Sequence, residues 1–165
     1  MKRTAGFTLI ELLVVIAIIA ILSGIILVSV SSSRNRGNDA KVQSQLKSSQ
    51  THAEVFYSNN ADSYGPPGAD ANVATGSCGS ETTMFDDEDS GMAPYGNLDF
   101  YPVNTILNCV QNDTAYSLSA KLSTQTNGVD NYWCVDSAGS SEQITISDPA
   151  TITSADDTCD KQATH

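Results

Sequence analysis

Basic residues are scarce in this chain. Its 165 residues hold 8 Lys and Arg against 19 Asp and Glu, a formal net charge of -11. Phosphate recognition needs clustered Lys and Arg, so no direct nucleic-acid partner is expected. Histidine is nearly absent, with 2 in all, and none of the cysteines is spaced CxxC, which argues against a zinc site. No nucleophile–base set or phosphate-cradling glycine loop is visible, so neither an enzyme nor an organic cofactor is expected. Proline is missing before Pro66. Large apolar residues thin out after Val30, where Ser, Thr, Asn, Asp and Gly take over. That part can build only a thin core and needs staples.

The apolar residues are concentrated at the start. MKRTAG is followed by FTLIELLVVIAIIAILSGIILVSV, and from Phe7 to Val30 the only ionisable side chain is Glu11. As a helix this run spans about 36 Å, enough to cross a hydrocarbon core of about 30 Å with some tilt. Lys2 and Arg3 precede it and are expected to stay cytoplasmic, sending the rest outward. Arg34 and Arg36 follow it and weaken that asymmetry. An ordinary secretory signal peptide is the plainer reading. Against it, the run exceeds the roughly 7–15 residues of an h-region and lacks a small-x-small cleavage site at its end. A carboxylate inside a membrane segment is also expensive and usually has a partner and a task.

Gly6-Phe7-Thr8-Leu9-Ile10-Glu11 resembles the class III signal of type IV prepilins and type II secretion pseudopilins, and the likeness extends over residues 1–30. It implies that a membrane-embedded aspartyl peptidase cuts between Gly6 and Phe7 and N-methylates Phe7. It also implies that Glu11 is the filament-assembly carboxylate. Loss of Lys2 and Arg3 would lower the formal charge by two units and create an ammonium on Phe7. In a dry filament core Glu11 needs a partner, and the Phe7 amine of a neighbouring subunit is the expected one. Many family members carry a Pro late in the apolar run and this chain has none, so helix melting on assembly is not carried over.

Four segments are expected: a leader at 1–6, a membrane and filament-core helix at 7–30, its amphipathic continuation at 31–57, and a head at 58–165. Ser31 to Gly37 is polar and marks the membrane exit. Helical spacing returns with Val42, Leu46, Ala53 and Phe56 on one stripe, and Lys41, Gln45, Lys47 and Glu54 on the other faces. His52 stands without a catalytic constellation and reads as solvated or capping. Ala61 to Gly96 reads as loop, punctuated by Gly65-Pro66-Pro67-Gly68, Gly76, Gly79 and Gly91. Its run Asp86-Asp87-Glu88-Asp89 reads as a solvated acidic loop or, alternatively, a Ca²⁺ site of carboxylate and carbonyl oxygens. The spacing is not that of an EF-hand. Resemblance to the secretion pseudopilins, which often hold calcium in a head loop, implies the second.

Further on, Tyr116, Leu118, Ala120 and Leu122 alternate with polar residues, and Asn127-Gly128 signals a tight turn. Asn131 to Val135 and Gln143 to Ser147, with Ile144 and Ile146, read as two more strands. The expected fold is α+β: a pilin-like ladle, its long N-terminal helix covered on its outer half by a three-stranded antiparallel sheet. Tyr132 and Trp133 read as core and rim. Cys78, Cys109, Cys134 and Cys159 make an even count outside the membrane, which points to disulfides. Three connectivities are possible. Cys78–Cys109 with Cys134–Cys159 is favoured, because each closes a local loop and neither crosses the other.

The leading expectation is a structural subunit of a type IV pilus-like filament. Before assembly it would sit in the inner membrane on a single pass, and afterwards in a periplasmic or cell-surface filament. Its partners would be prepilin peptidase, the assembly platform, the membrane and identical or homologous subunits. The alternative within that architecture is the major pseudopilin of a type II secretion system. An alternative from another class is a secreted, disulfide-stapled binding module with an ordinary signal peptide.

Overall fold

The computed structural model describes residues 6–65, 71–73, 78, 83–145 and 159. Leader residues 1–5, Pro66 to Gly68, Gly76, Gly79, Ile146 and Ser147 lie outside the described residues. The chain divides into two compact units, Met1–Asn35 and Arg36–His165. One helix, α1 (Leu9–Asn59), contributes to both.

In the first unit α1 is apolar on all sides, and every side chain described from Leu9 to Ile25 is exposed. The polar stretch from Ser31 remains helical. Ser33 Oγ there donates to the Ser29 carbonyl at 3.0 Å, satisfying the hydroxyl without opening the turn. The helix ends where Ala61 and Asp62 adopt positive φ and the Asp62 N–H returns to the Tyr57 carbonyl at 3.0 Å.

In the second unit the buried positions of α1 are Asp39, Val42, Gln45, Leu46, Ser49 and Ala53. Their spacing of three and four residues makes one stripe. Val42, Leu46 and Ala53 share a core with Leu107, Cys109, Leu118, Ala120, Leu122 and Val135, while Phe56 and Tyr57 pack at its margin. Gln45, expected on an outward face, is instead 8% exposed. Its Nε2 donates to the Phe100 carbonyl at 2.6 Å, which lets an amide enter the apolar stripe.

The sheet has five antiparallel strands in sequence order: β1 (Ala71–Val73), β2 (Leu107–Gln111), β3 (Tyr116–Thr126), β4 (Val129–Asp136) and β5 (Ser141–Thr145). The α+β class holds, but the expected three strands are too few. β2 has no alternation to find, because all five of its residues are buried. β1 falls within the segment read as loop. Asn127 and Gly128 both take positive φ and close the β3–β4 hairpin in two residues, as a type I′ turn requires. Between Lys121 and Gln125 the register shifts. There Asp39 of α1 accepts from the Ser123 N–H at 2.6 Å and from Thr124 Oγ at 2.6 Å, so a helix carboxylate fills the irregularity.

The two faces of the sheet are both used. One carries Leu107, Cys109, Leu118, Ala120 and Val135 against α1, with Trp133 partly buried beside them. The other carries Val110, Tyr132, Cys134 and Ile144 in a smaller cluster with Cys159. Tyr132 is therefore core, and Trp133 lies at the margin of the first cluster.

Candidate functional site

Gly6, Phe7 and Thr8 lie in non-helical backbone immediately before α1, and Gly6 and Phe7 are exposed. Thr8 starts the helix. Its N–H and its hydroxyl both donate to Glu11 Oε2, at 2.8 and 2.6 Å. In return the Glu11 N–H points at Thr8 Oγ at 3.4 Å. This is a capping box, in which the first and fourth residues satisfy each other's free groups. Glu11 thus has a partner within its own chain, three residues away. Thr8 was not recognised from the sequence, although Thr-x-x-Glu ahead of an apolar run is the pattern that announces it.

From Leu9 to Ile25 none of the described residues covers the helix. Leu9 is 79% exposed and Ile21 67%. Side chains of this kind stabilise by leaving water, at about 25 cal/mol per Å². A run this long therefore requires lipid or other apolar helices around it. The helix is long and apolar enough to cross a membrane.

Both disulfides join the pairs favoured from the sequence. Cys78–Cys109 ties the excursion between β1 and β2 to the centre of β2, on the helix-facing side of the sheet. Cys134–Cys159 anchors a residue near the carboxyl terminus to β4 on the opposite face. There the Cys159 N–H also donates to Asp136 Oδ2 at 2.9 Å.

The acidic run does not gather. Asp86 ends a short 3-10 turn (Met84–Asp86), and Asp87 Oδ2 accepts the Ser90 N–H at 2.7 Å. Asp86, Glu88 and Asp89 are exposed. Among the described residues no group of three or more His, Cys, Asp or Glu side chains is placed to hold a metal ion. His52 is neither solvated nor a cap. It is half-buried, with Nδ1 2.8 Å from the Ser90 carbonyl and its ring 5.2 Å from that of Tyr95.

Residues 1–27 match the family described as the prokaryotic N-terminal methylation motif. Over 60 residues the chain is 42% identical to the type IV wide pilus major component PilA4 of Thermus thermophilus. Over the aligned stretch the chain is similar to a type IV pilus component. The aligned stretch is 36% of this chain and 46% of that relative, so the chain spans less than half the relative's length. No solved structure matches. The residues matched by the methylation motif include Thr8 and Glu11, which cap the start of α1.

Proposed function

We propose that the chain is the precursor of a structural subunit of a type IV pilus-like filament. Prepilin peptidase would cut the Gly6–Phe7 bond and methylate Phe7. The subunit would wait in the membrane on α1, and an assembly platform would then pass it into a periplasmic or surface filament. The observation that carries this reading is the uncovered apolar run of α1, with Glu11 as its one ionisable side chain. The site of cleavage lies in exposed, non-helical backbone, where a protease can reach a peptide bond. The named role of the relative, a pilus major component, favours a pilus over a secretion pseudopilin.

The charges supply the mechanism. Cleavage leaves an ammonium on Phe7, close to the start of the helix. When helices leave lipid and pack together, Glu11 exchanges its bonds to Thr8 for the Phe7 ammonium of a neighbouring subunit. A subunit out of register would leave both charges bare, at a cost of several kcal/mol per ion. The pair therefore acts as a registration device. Glu11→Ala tests it: membrane insertion and Gly6–Phe7 cleavage should continue while filaments disappear from electron micrographs. Normal filaments from that variant would exclude the pairing.

A further inference from the structure

Gly6 is a poor helix residue, and Thr8 is one whose side chain can cap a helix. Gly6, Phe7 and Thr8 are non-helical, and α1 opens at Leu9, one residue after Thr8. The Thr8 carbonyl accepts the first helical bond, from the Leu12 N–H at 3.3 Å. The first N–H groups of a helix have no carbonyl four residues back. Here the Glu11 N–H meets Thr8 Oγ at 3.4 Å, while the Thr8 N–H and hydroxyl donate to Glu11 Oε2 at 2.8 and 2.6 Å. A helix begun one turn earlier gives these contacts up, because Thr8 then takes helical dihedrals and its N–H turns to a carbonyl four residues back.

The position of that start bears on the bond ahead of it. Cleavage between Gly6 and Phe7 needs the carbonyl of one and the N–H of the other free to meet a peptidase. Inside a helix both groups are engaged by residues four positions away. In the sequence the nearest residue before Thr8 whose side chain can cap is Thr4, about one turn earlier. A helix capped at Thr4 would enclose the Gly6–Phe7 bond. The apolar run from Leu9 does not select between the two starts, since it is helical in both. The cap selects.

We propose that Thr8 is a positioning residue for processing: its hydroxyl fixes the start of α1 at Leu9 and so holds the Gly6–Phe7 bond in extended backbone. It acts through the backbone and touches no reacting atom. Glu11 is the lesser partner, because Thr8 Oγ keeps the backbone N–H of residue 11 when the carboxylate is removed. Cleavage of Glu11→Ala therefore continues, as stated above. The inference rests on the filament reading and deepens it, separating a processing role for Thr8 from the assembly role of Glu11.

The test treats the full-length precursor in detergent micelles with purified prepilin peptidase and follows the mass of the released peptide MKRTAG. A conformer that hides the bond lowers the competent fraction, which raises KM and leaves kcat unchanged. Thr8→Ala should raise KM about fivefold, equivalent to about 1 kcal/mol, the usual scale of a lost cap. Thr8→Ser keeps the hydroxyl and should restore KM. Thr4→Ala added to Thr8→Ala removes the earlier cap and should lower KM again, which direct recognition of the Thr8 side chain would not allow. Thr8 belongs to the unit Met1–Asn35, apart from the sheet and both disulfides, so its substitution leaves the head folded. Thr8→Ala cut at wild-type KM, Thr8→Ser cut as poorly as Thr8→Ala, or no recovery in the double variant would each overturn the positioning role and leave the filament reading standing. A wild-type precursor that is not cut at Gly6–Phe7 would overturn the filament reading itself.

Discussion

Asp39 shows how much a single buried carboxylate can organise. It lies on α1, is 6% exposed, and accepts from the Ser123 N–H, the Thr124 N–H and the Thr124 hydroxyl. Replacing it with Ala removes the acceptor from all three part-buried bonds, at about 1–3 kcal/mol for each group that water cannot reach. Asp39→Ala should therefore lower the urea midpoint of the full-length protein in detergent substantially, and Asp39→Asn, which keeps one oxygen, should lower it less. Gly91 is the second sensitive residue. Its φ is +79°, and an added Cβ would lie 2.8 Å from His52 Nδ1. Gly91→Ala is expected to cost about 1–3 kcal/mol through backbone strain together with the displaced imidazole. Thermal melting compared with a nearby control, Ala93→Gly, checks this.

The stripe on α1 was legible where it is apolar. Val42, Leu46 and Ala53 repeat at helical spacing and are buried as that spacing implies. Asp39, Gln45 and Ser49 belong to the same stripe but could not be found by hydropathy. Each is buried only because a particular distant or local carbonyl or N–H meets it, and sequence does not encode that meeting in any periodic way.

At the scale of elements, the β3–β4 hairpin was readable because its turn demands two residues of positive φ and Asn-Gly supplies them. β2 was not, since a short strand buried on both faces has no period and its neighbour β1 is three residues long. The cysteines were readable in their pairing but not in their placement on opposite faces of the sheet. That placement makes the two bonds independent staples. Removing Cys134 and Cys159 together by Ala should destabilise the head by about 2–4 kcal/mol in urea unfolding, and the Cys78–Cys109 bond should survive. Non-reducing peptide mapping that recovered Cys78–Cys134 would contradict the structure.

At the scale of the whole molecule, tyrosines set an alkaline limit. Burial comes first among the causes that push the phenols of Tyr64, Tyr101, Tyr116 and Tyr132 upward, and the Glu54 hydrogen bond adds to it at Tyr64. Folded phenols keep protons that unfolded ones shed near pH 10, so the unfolded state gains as pH rises. The stabilisation is whole below about pH 10 and is lost as pH climbs toward the raised folded values. Tyrosinate absorbance for this group should appear together with unfolding in an alkaline titration. Its appearance at the ordinary value in a chain that keeps its fold would show the phenols to be accessible.

The two units of the chain answer different physical demands. Arg36–His165 satisfies itself, with two clusters, a five-stranded sheet and two disulfides. Among the described residues the apolar start of α1 is uncovered from Leu9 to Ile25, and its Glu11 accepts from Thr8. The first thirty residues made this plain at once, because length, apolarity and one carboxylate are all written in the sequence. The proposed function turns on what happens at Gly6 and Phe7. Mass spectrometry of the amino terminus of the mature protein is the most direct measurement. A chain that begins at N-methylated Phe7 is expected. A chain that begins after about residue 25, as signal-peptide removal would leave it, or one that retains Met1, would contradict the filament reading.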